Sequence, residues 1–184
     1  MTSLTIREIP AAELDTHTPA LSGILHDCVL GGASVGFILP FTLQEAAAFW
    51  RSLRPGLQTG GRRLLGAWSG DRLVGTVQLL LAGPPNGRHR AEVAKMLVHP
   101  DARRQRVGRA LMTAVEALAR TEGRTLLLLD TGSDEGRALY RSVGFQTVGD
   151  IPGYAIHVDG SALATTLLYK HLASETGEIT VPAR

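Results

Sequence analysis

From Val98 to Met112 the chain reads V-H-P-D-A-R-R-Q-R-V-G-R-A-L-M, and this stretch constrains the fold more than any other. It has the form of an apolar strand end, a turn rich in backbone donors, and then a helix. Within Gln105-x-x-Gly108-x-Ala110, small residues stand where bulky ones would keep a ligand from the backbone, and four arginines (Arg103, Arg104, Arg106, Arg109) crowd the same turn. A helix N-terminus already attracts anions through its free N–H groups and its dipole. With this added positive charge the turn is expected to bind a polyanion, and a pyrophosphate suits it best.

Other readings of a glycine-bearing strand-turn-helix fare worse. The G-x-G-x-x-G spacing of dinucleotide-binding folds is absent, and no G-K-S or G-K-T occurs for a Walker loop. A solvated basic helix start remains the bland alternative. Against it stands the context: Ala91 to Val98 reads as a strand, and Val107 to Thr121 as a helix with Val107, Leu111, Met112, Val115, Leu118 and Ala119 on one face.

The Gln105-x-x-Gly108-x-Ala110 signature, between an apolar strand and a long helix, resembles that of the GCN5-related N-acetyltransferases, the GNAT family. Downstream, Ala138-Leu139-Tyr140-Arg141-Ser142-Val143-Gly144-Phe145 resembles the family's helix-Tyr-x-x-x-G-F pattern. The resemblance covers roughly residues 3 to 171 and implies acetyl-coenzyme A as the acetyl donor. It places the pyrophosphate on Arg103, Arg104, Gln105, Arg106, Val107, Gly108, Arg109 and Ala110, and the pantetheine and acetyl ends on the backbone of Met96, Leu97 and Val98. Arg106 departs from the pattern, since the family often has glycine there. A narrower likeness, to the tabtoxin-resistance acetyltransferases of this family, is carried by Gly31 to Phe37, Pro85-Asn86-Gly87, Arg90 to Val93, Asp130-Thr131, Pro152-Gly153-Tyr154 and Asp159-Gly160. It implies an acceptor pocket of related shape, for an amino-acid-like or toxin- or antibiotic-like amine, with toxin or antibiotic resistance as the corresponding role.

Composition bounds the rest. At 184 residues the chain suits one domain. The expectation is a single acetyltransferase domain over residues 1–172 and a disordered tail over 173–184. A net charge of +2, with the arginines gathered in one turn and no aromatic–basic interleaving, disfavours nucleic acid. The lone Cys28 excludes an internal disulfide and, with no CxxC or His/Cys cluster, argues against a metal site; it is expected in the core. No signal peptide and no long apolar run is present, so a cytoplasmic protein away from membranes is expected.

The expected elements run in order. A strand over 3–9 is followed by a helix over 15–30 that stops at Gly31-Gly32, and by a second helix opened by the Thr42-x-x-Glu45 capping box. A hairpin then turns at Ser69-Gly70-Asp71-Arg72, and strand 90–98 leads to helix 107–121. Strand 125–130, helix 133–143 and strands 145–150 and 163–169 close the chain. This order, and the resemblance, imply an α/β (α+β) GNAT fold: a central mixed, mostly antiparallel sheet of about seven strands flanked by about four helices. The final strand is expected to be able to pair across a homodimer.

Amide formation from a thioester needs an amine that has shed its proton, and an ordinary amine with a pKa near ~10.4 is mostly protonated at neutral pH. A base is therefore required, with help for the departing thiolate. Glu92, mid-strand in an apolar neighbourhood, is the first choice as base; the alternative is a salt bridge to Arg90 or Lys95. Asp130, at a strand's C-terminal end, is the second candidate, its alternative being an N-cap of the next helix. Tyr140 is the general acid that the resemblance implies. The acceptor side is expected to comprise Gly32, Ala33, Ser34, Val35, Gly36, Phe37 and Tyr154, which together suggest a small closed pocket. His99 and His157 receive no role. The activity expected is N-acetylation of a small-molecule amine; acetylation of protein amines and a non-catalytic coenzyme A-binding sensor are the alternatives.

Overall fold

The computed structural model describes residues 3–157 and 159–172. The expectation of a disordered tail falls on residues 173–184, outside the described residues.

Seven strands form one sheet in the order β1-β2-β3-β4-β5-β7-β6. They are β1 Leu4–Glu8, β2 Arg62–Ser69, β3 Arg72–Leu80, β4 Arg90–Val98, β5 Leu126–Thr131, β6 Gln146–Ile156 and β7 Ala162–His171. The helices are α1 Leu14–Leu30, α2 Leu43–Ser52, α3 Arg54–Gln58, α4 Val107–Thr121 and α5 Asp134–Ser142. Only β4 and β5 run parallel; every other neighbouring pair is antiparallel. The mixed sheet and the order of the elements are as the sequence implied. No described helix is long and apolar enough to cross a membrane.

Local chemistry accounts for the helix ends. Thr42 and Glu45 form the reciprocal box: Thr42 Oγ1 accepts from the Glu45 N–H at 3.2 Å, and Glu45 Oε2 accepts from the Thr42 N–H at 2.8 Å. The short α3 was not foreseen. Its Pro55 sits in the first turn, where a missing N–H costs nothing. Ser133, not Asp130, caps α5 by accepting from the Gly136 N–H at 3.0 Å; the capping alternative for Asp130 is overturned.

Two cores lie on opposite faces of the sheet. Under α4 and α5, Val77, Leu79, Ala91, Val93, Leu127 and Leu129 pack against Val107, Leu111 and Val115. Under α1 and α2, Leu64, Trp68 and Leu97 pack against Leu21, Leu25, Cys28 and Trp50, so Cys28 is in the core as expected. One buried charge pair ties α4 to β7: Lys170 Nζ reaches both oxygens of Glu116 at 2.8 and 2.7 Å, and donates to the Val143 carbonyl at 2.5 Å. Glu116 is only 7% exposed. Lys170→Met leaves that buried carboxylate only the half-exposed Arg120 guanidinium, 3.9 Å away, and should cost about 3–5 kcal/mol in chemical denaturation.

One expectation fails on topology. The final strand cannot pair across chains, because β7 lies between β5 and β6. The sheet's edges are β1 and β6, and β6 carries the exposed Val148 and Ile156.

Candidate active site

A slot opens where β4 leaves β5. Parallel pairing holds from Arg90 with Leu126 to Glu92 with Leu128 and then ends. On the other side, β4 bulges against β3: Thr76 pairs with Leu97 and Gln78 with Ala94, so Val77 alone faces Lys95 and Met96. Lys95 takes up the extra residue in a left-handed conformation, φ 49°. A one-residue slip reverses the side-chain faces. Ala91 and Val93 point into the α4/α5 core, whereas Leu97 joins the α1/α2 core. Met96 and Val98 are thereby turned toward α4, where their side chains flank Gly108.

The basic turn is shaped to present donors. Arg104 and Arg106 both adopt φ near +60° (61° and 63°), a conformation costly for non-glycine residues and typical of ligand-holding turns. Arg106, where the family pattern often has glycine, meets the same backbone demand. Among the described residues, no N–H from Arg104 through Arg109 has a well-formed backbone acceptor; the Ala110 N–H is the first to bond, to the Arg106 carbonyl at 3.0 Å. Unpaired donors beside arginines fit a pyrophosphate. The arginines do not all share the role, however. Arg109 bridges to α5, donating to Ser142 Oγ at 3.0 Å.

Gly108 serves the slot more than the turn. A Cβ there would lie 3.0 Å from Leu139 Cδ2, 3.7 Å from Met96 Sδ and 3.8 Å from Val98 Cγ2. A side chain would press between Leu139 of α5 and Met96 and Val98 of β4, beside the splayed strands. These residues fit coenzyme A in kind: the unpaired donors and arginines of the turn would suit its pyrophosphate, and the backbone of Met96 to Val98 would suit its pantetheine.

The other face of the sheet carries the polar groups. Glu92 is exposed and, among the described residues, makes no ion pair or hydrogen bond; its expected bridges to Arg90 and Lys95 are not formed. Asp130 Oδ2 accepts from Thr165 Oγ1 at 2.8 Å. Both carboxylates act on Lys95, whose basicity is lowered by burial and partly restored by Asp130 and Glu92. Burial likewise lowers Arg62, offset by Glu92. Arg62 and Thr165 carry no signal of a site in the sequence, and Lys95 reads there only as a salt-bridge partner of Glu92.

Tyr140 is 7% exposed, its ring 6.0 Å from that of Phe145. Burial, reinforced by the negative Asp130, pushes its phenol up to about 12. An acid raised in the folded state stabilises the fold fully below its unfolded pKa, near 10, and loses that contribution as pH climbs from 10 to about 12. The wild type should lose roughly 2–3 kcal/mol of stability over that window relative to Tyr140→Phe, read from denaturant midpoints at successive pH values.

The loop between α1 and α2 roofs this face. Ala33, Val35 and Phe37 pack on the α1/α2 core, and Phe37 stacks 4.6 Å from Phe41 and 5.2 Å from Phe49. Ser34 is half-buried, Gly36 lies against Lys95, and Gly32 lies against His157 Nε2. Tyr154 is 55% exposed, in a bulge of β6 where residues between Ile151 and Ala155 outnumber their partners on β7. His157, which the sequence left without a role, lies against the loop at Gly32.

Comparison with known proteins agrees with this geometry. The acetyltransferase (GNAT) family matches residues 28–145. N-acetyltransferase 8 of Rattus norvegicus is 30% identical over 138 residues, 66% of this chain and 62% of the rat protein, so the chain spans about three fifths of that relative's length. Among solved structures, a ribosomal-protein-alanine N-acetyltransferase from Brucella melitensis superposes with a TM-score of 0.74 at 24% identity, covering 91% of this chain and 99% of that one. The yncA protein of Salmonella typhimurium, solved with its cofactor acetyl-CoA, superposes with a TM-score of 0.75 at 20% identity, covering 98% of each chain; at these identities the two structures speak for the fold. With a family match spanning both the donor-rich turn and the Tyr140 segment, the chain belongs to the acetyltransferase (GNAT) family.

Proposed function

We propose that residues 1–172 form a single acetyltransferase domain that moves an acetyl group from acetyl-coenzyme A to the amine of a small, amino-acid-like or toxin-like molecule. The observation that carries this reading is the splay of β4 from β5 beyond Glu92. It joins a turn of unpaired N–H donors to a sheet face bearing two carboxylates.

Bound acetyl-coenzyme A would supply a thioester carbonyl for the amine to attack. The backbone of Met96 to Val98 and of Arg104 to Gly108 would hold it. On the acceptor side, Glu92 has no other partner and is available to take a proton from the amine, directly or through water. Asp130, steadied by Thr165, orients the amine. As the new C–N bond forms and the C–S bond breaks, the thiolate leaves on the Tyr140 side. A phenol near 12 is a poor proton donor to a thiolate whose acid has a pKa near ~8.5. Tyr140 therefore acts by hydrogen bonding to the leaving sulfur and not by complete proton transfer, which narrows the general-acid role implied by the family pattern.

The stretches that resemble tabtoxin-resistance acetyltransferases support a toxin-like acceptor, and the unpaired charges of the groove support a compact charged one. The experiment is product identification by mass spectrometry and NMR after incubation with acetyl-coenzyme A and a panel of amino acids, small amines and β-lactam-like amines. An N-acetylated small molecule is expected. Acetylation confined to protein N-termini would replace the small-molecule reading.

A further inference from the structure

The bulge in β4 does more than open the slot. Without it, Lys95 would alternate onto the same face as Ala91 and Val93 and enter the α4/α5 core. With it, Lys95 shares the opposite face with Glu92, and its Nζ lies 5.7 Å from the Phe49 ring centroid and 6.0 Å from that of Phe37. Gly36 closes over it: a Cβ on Gly36 would sit 3.5 Å from Lys95 Nζ. The lysine is half-buried, and among the described residues it has no hydrogen bond and no ion pair.

Its neighbours are equally unsatisfied. Arg62 is half-buried and is held only by the side-chain oxygen of Gln78. Gln78 is fully buried, and its Nε2 donor has no partner. Glu92 is unpaired, and Asp130 has only the Thr165 hydroxyl. Charges removed from water are costly unless compensated, and two cations here lie within electrostatic range of a carboxylate without bridging to one. Such an arrangement is completed by a ligand that itself carries both signs.

We propose that Lys95, with Arg62 beside it, anchors a carboxylate of the acceptor, so that the acceptor is a zwitterion of the α-amino-acid type whose amine faces Glu92 and Asp130. The aromatic pair Phe37 and Phe49 flanks the lysine and limits its motion, while Gly36 leaves room over the ammonium. Lys95 is then the residue that separates acceptors bearing a carboxylate from those lacking one. This inference rests on the transferase reading above.

The test compares each common L-α-amino acid with its C-terminal amide as acceptor, at saturating acetyl-coenzyme A. In the wild type at least one acid should exceed its amide in kcat/KM by about 10–100-fold, as expected for one charge-assisted contact. Lys95→Met should remove that preference, chiefly through KM for the acid, and leave the amide within a few-fold. Lys95→Arg should keep part of it. Equal use of acid and amide by the wild type overturns the proposal, as does an equal loss for both in Lys95→Met. If the protein binds coenzyme A but acetylates neither member of any pair, the transferase reading is decided by the wider amine panel above. The anchor is then decided by calorimetric binding of N-acetyl amino acids and their amides: a preference for the acid that Lys95→Met abolishes upholds it, and equal binding overturns it.

Discussion

Gly108→Glu should reduce coenzyme A affinity on the order of 10³-fold while the protein stays folded. Glycine is required here by space, not by backbone conformation, since Gly108 is not among the residues with positive φ. Its missing Cβ faces Leu139, Met96 and Val98 at 3.0 to 3.8 Å, so a longer side chain runs down the channel assigned to the pantetheine. Its negative charge, one turn from the donors assigned to the pyrophosphate, would also repel the ligand's phosphates. The same carboxylate stands in the first turn of α4, and a negative charge there favours the helix by about 0.3–1 kcal/mol. Lost binding with a retained unfolding midpoint is therefore the expected pair of observations, by calorimetry and thermal denaturation. Unchanged affinity would place coenzyme A elsewhere.

Glu92→Gln should lower kcat by about 10²–10⁴-fold, the range for removing a positioned base. Glu92 is exposed and makes no hydrogen bond or ion pair among the described residues, so the only interaction lost is its longer-range attraction for Lys95 and Arg62, and the fold should be retained. Acetyl-coenzyme A affinity should also hold, since Glu92 lies on the acceptor face. Raising the pH should recover part of the activity, because more of the amine is then already neutral. A variant with full turnover under conditions where chemistry limits the rate would pass the base role to Asp130.

The parts of this molecule that were legible in its sequence are those governed by near neighbours. The Val107–Thr121 helix follows from its apolar stripe, and the α2 start from Thr42 and Glu45. The donor-rich turn follows from small residues among arginines. What escaped depends on partners distant in sequence. The bulge at Lys95 is set by the register of β4 against β3, and nothing local in Ala94-Lys95-Met96 announces it. Because the bulge decides the face of each later residue, Lys95 is legible in the sequence only as a salt-bridge partner, whereas its ammonium lies near the Phe37 and Phe49 rings, in the groove we assign to the acceptor. Arg62 joins that groove from β2, and Thr165 from β7, for the same reason. Asp130 was rightly placed at a strand end, but the residue it meets is Thr165 and not a helix N–H. Tyr154 falls where β6 pairs irregularly with β7, an irregularity that nothing local in Pro152-Gly153-Tyr154 fixes.

The most direct test of the account is thiol release from acetyl-coenzyme A, followed with and without each amine of the small-molecule panel, in the wild type and in Gly108→Glu. The account predicts release that depends on a particular small amine, saturates in both substrates and disappears in the variant. Coenzyme A binding with no amine-dependent release, or release that survives Gly108→Glu unchanged, would contradict it.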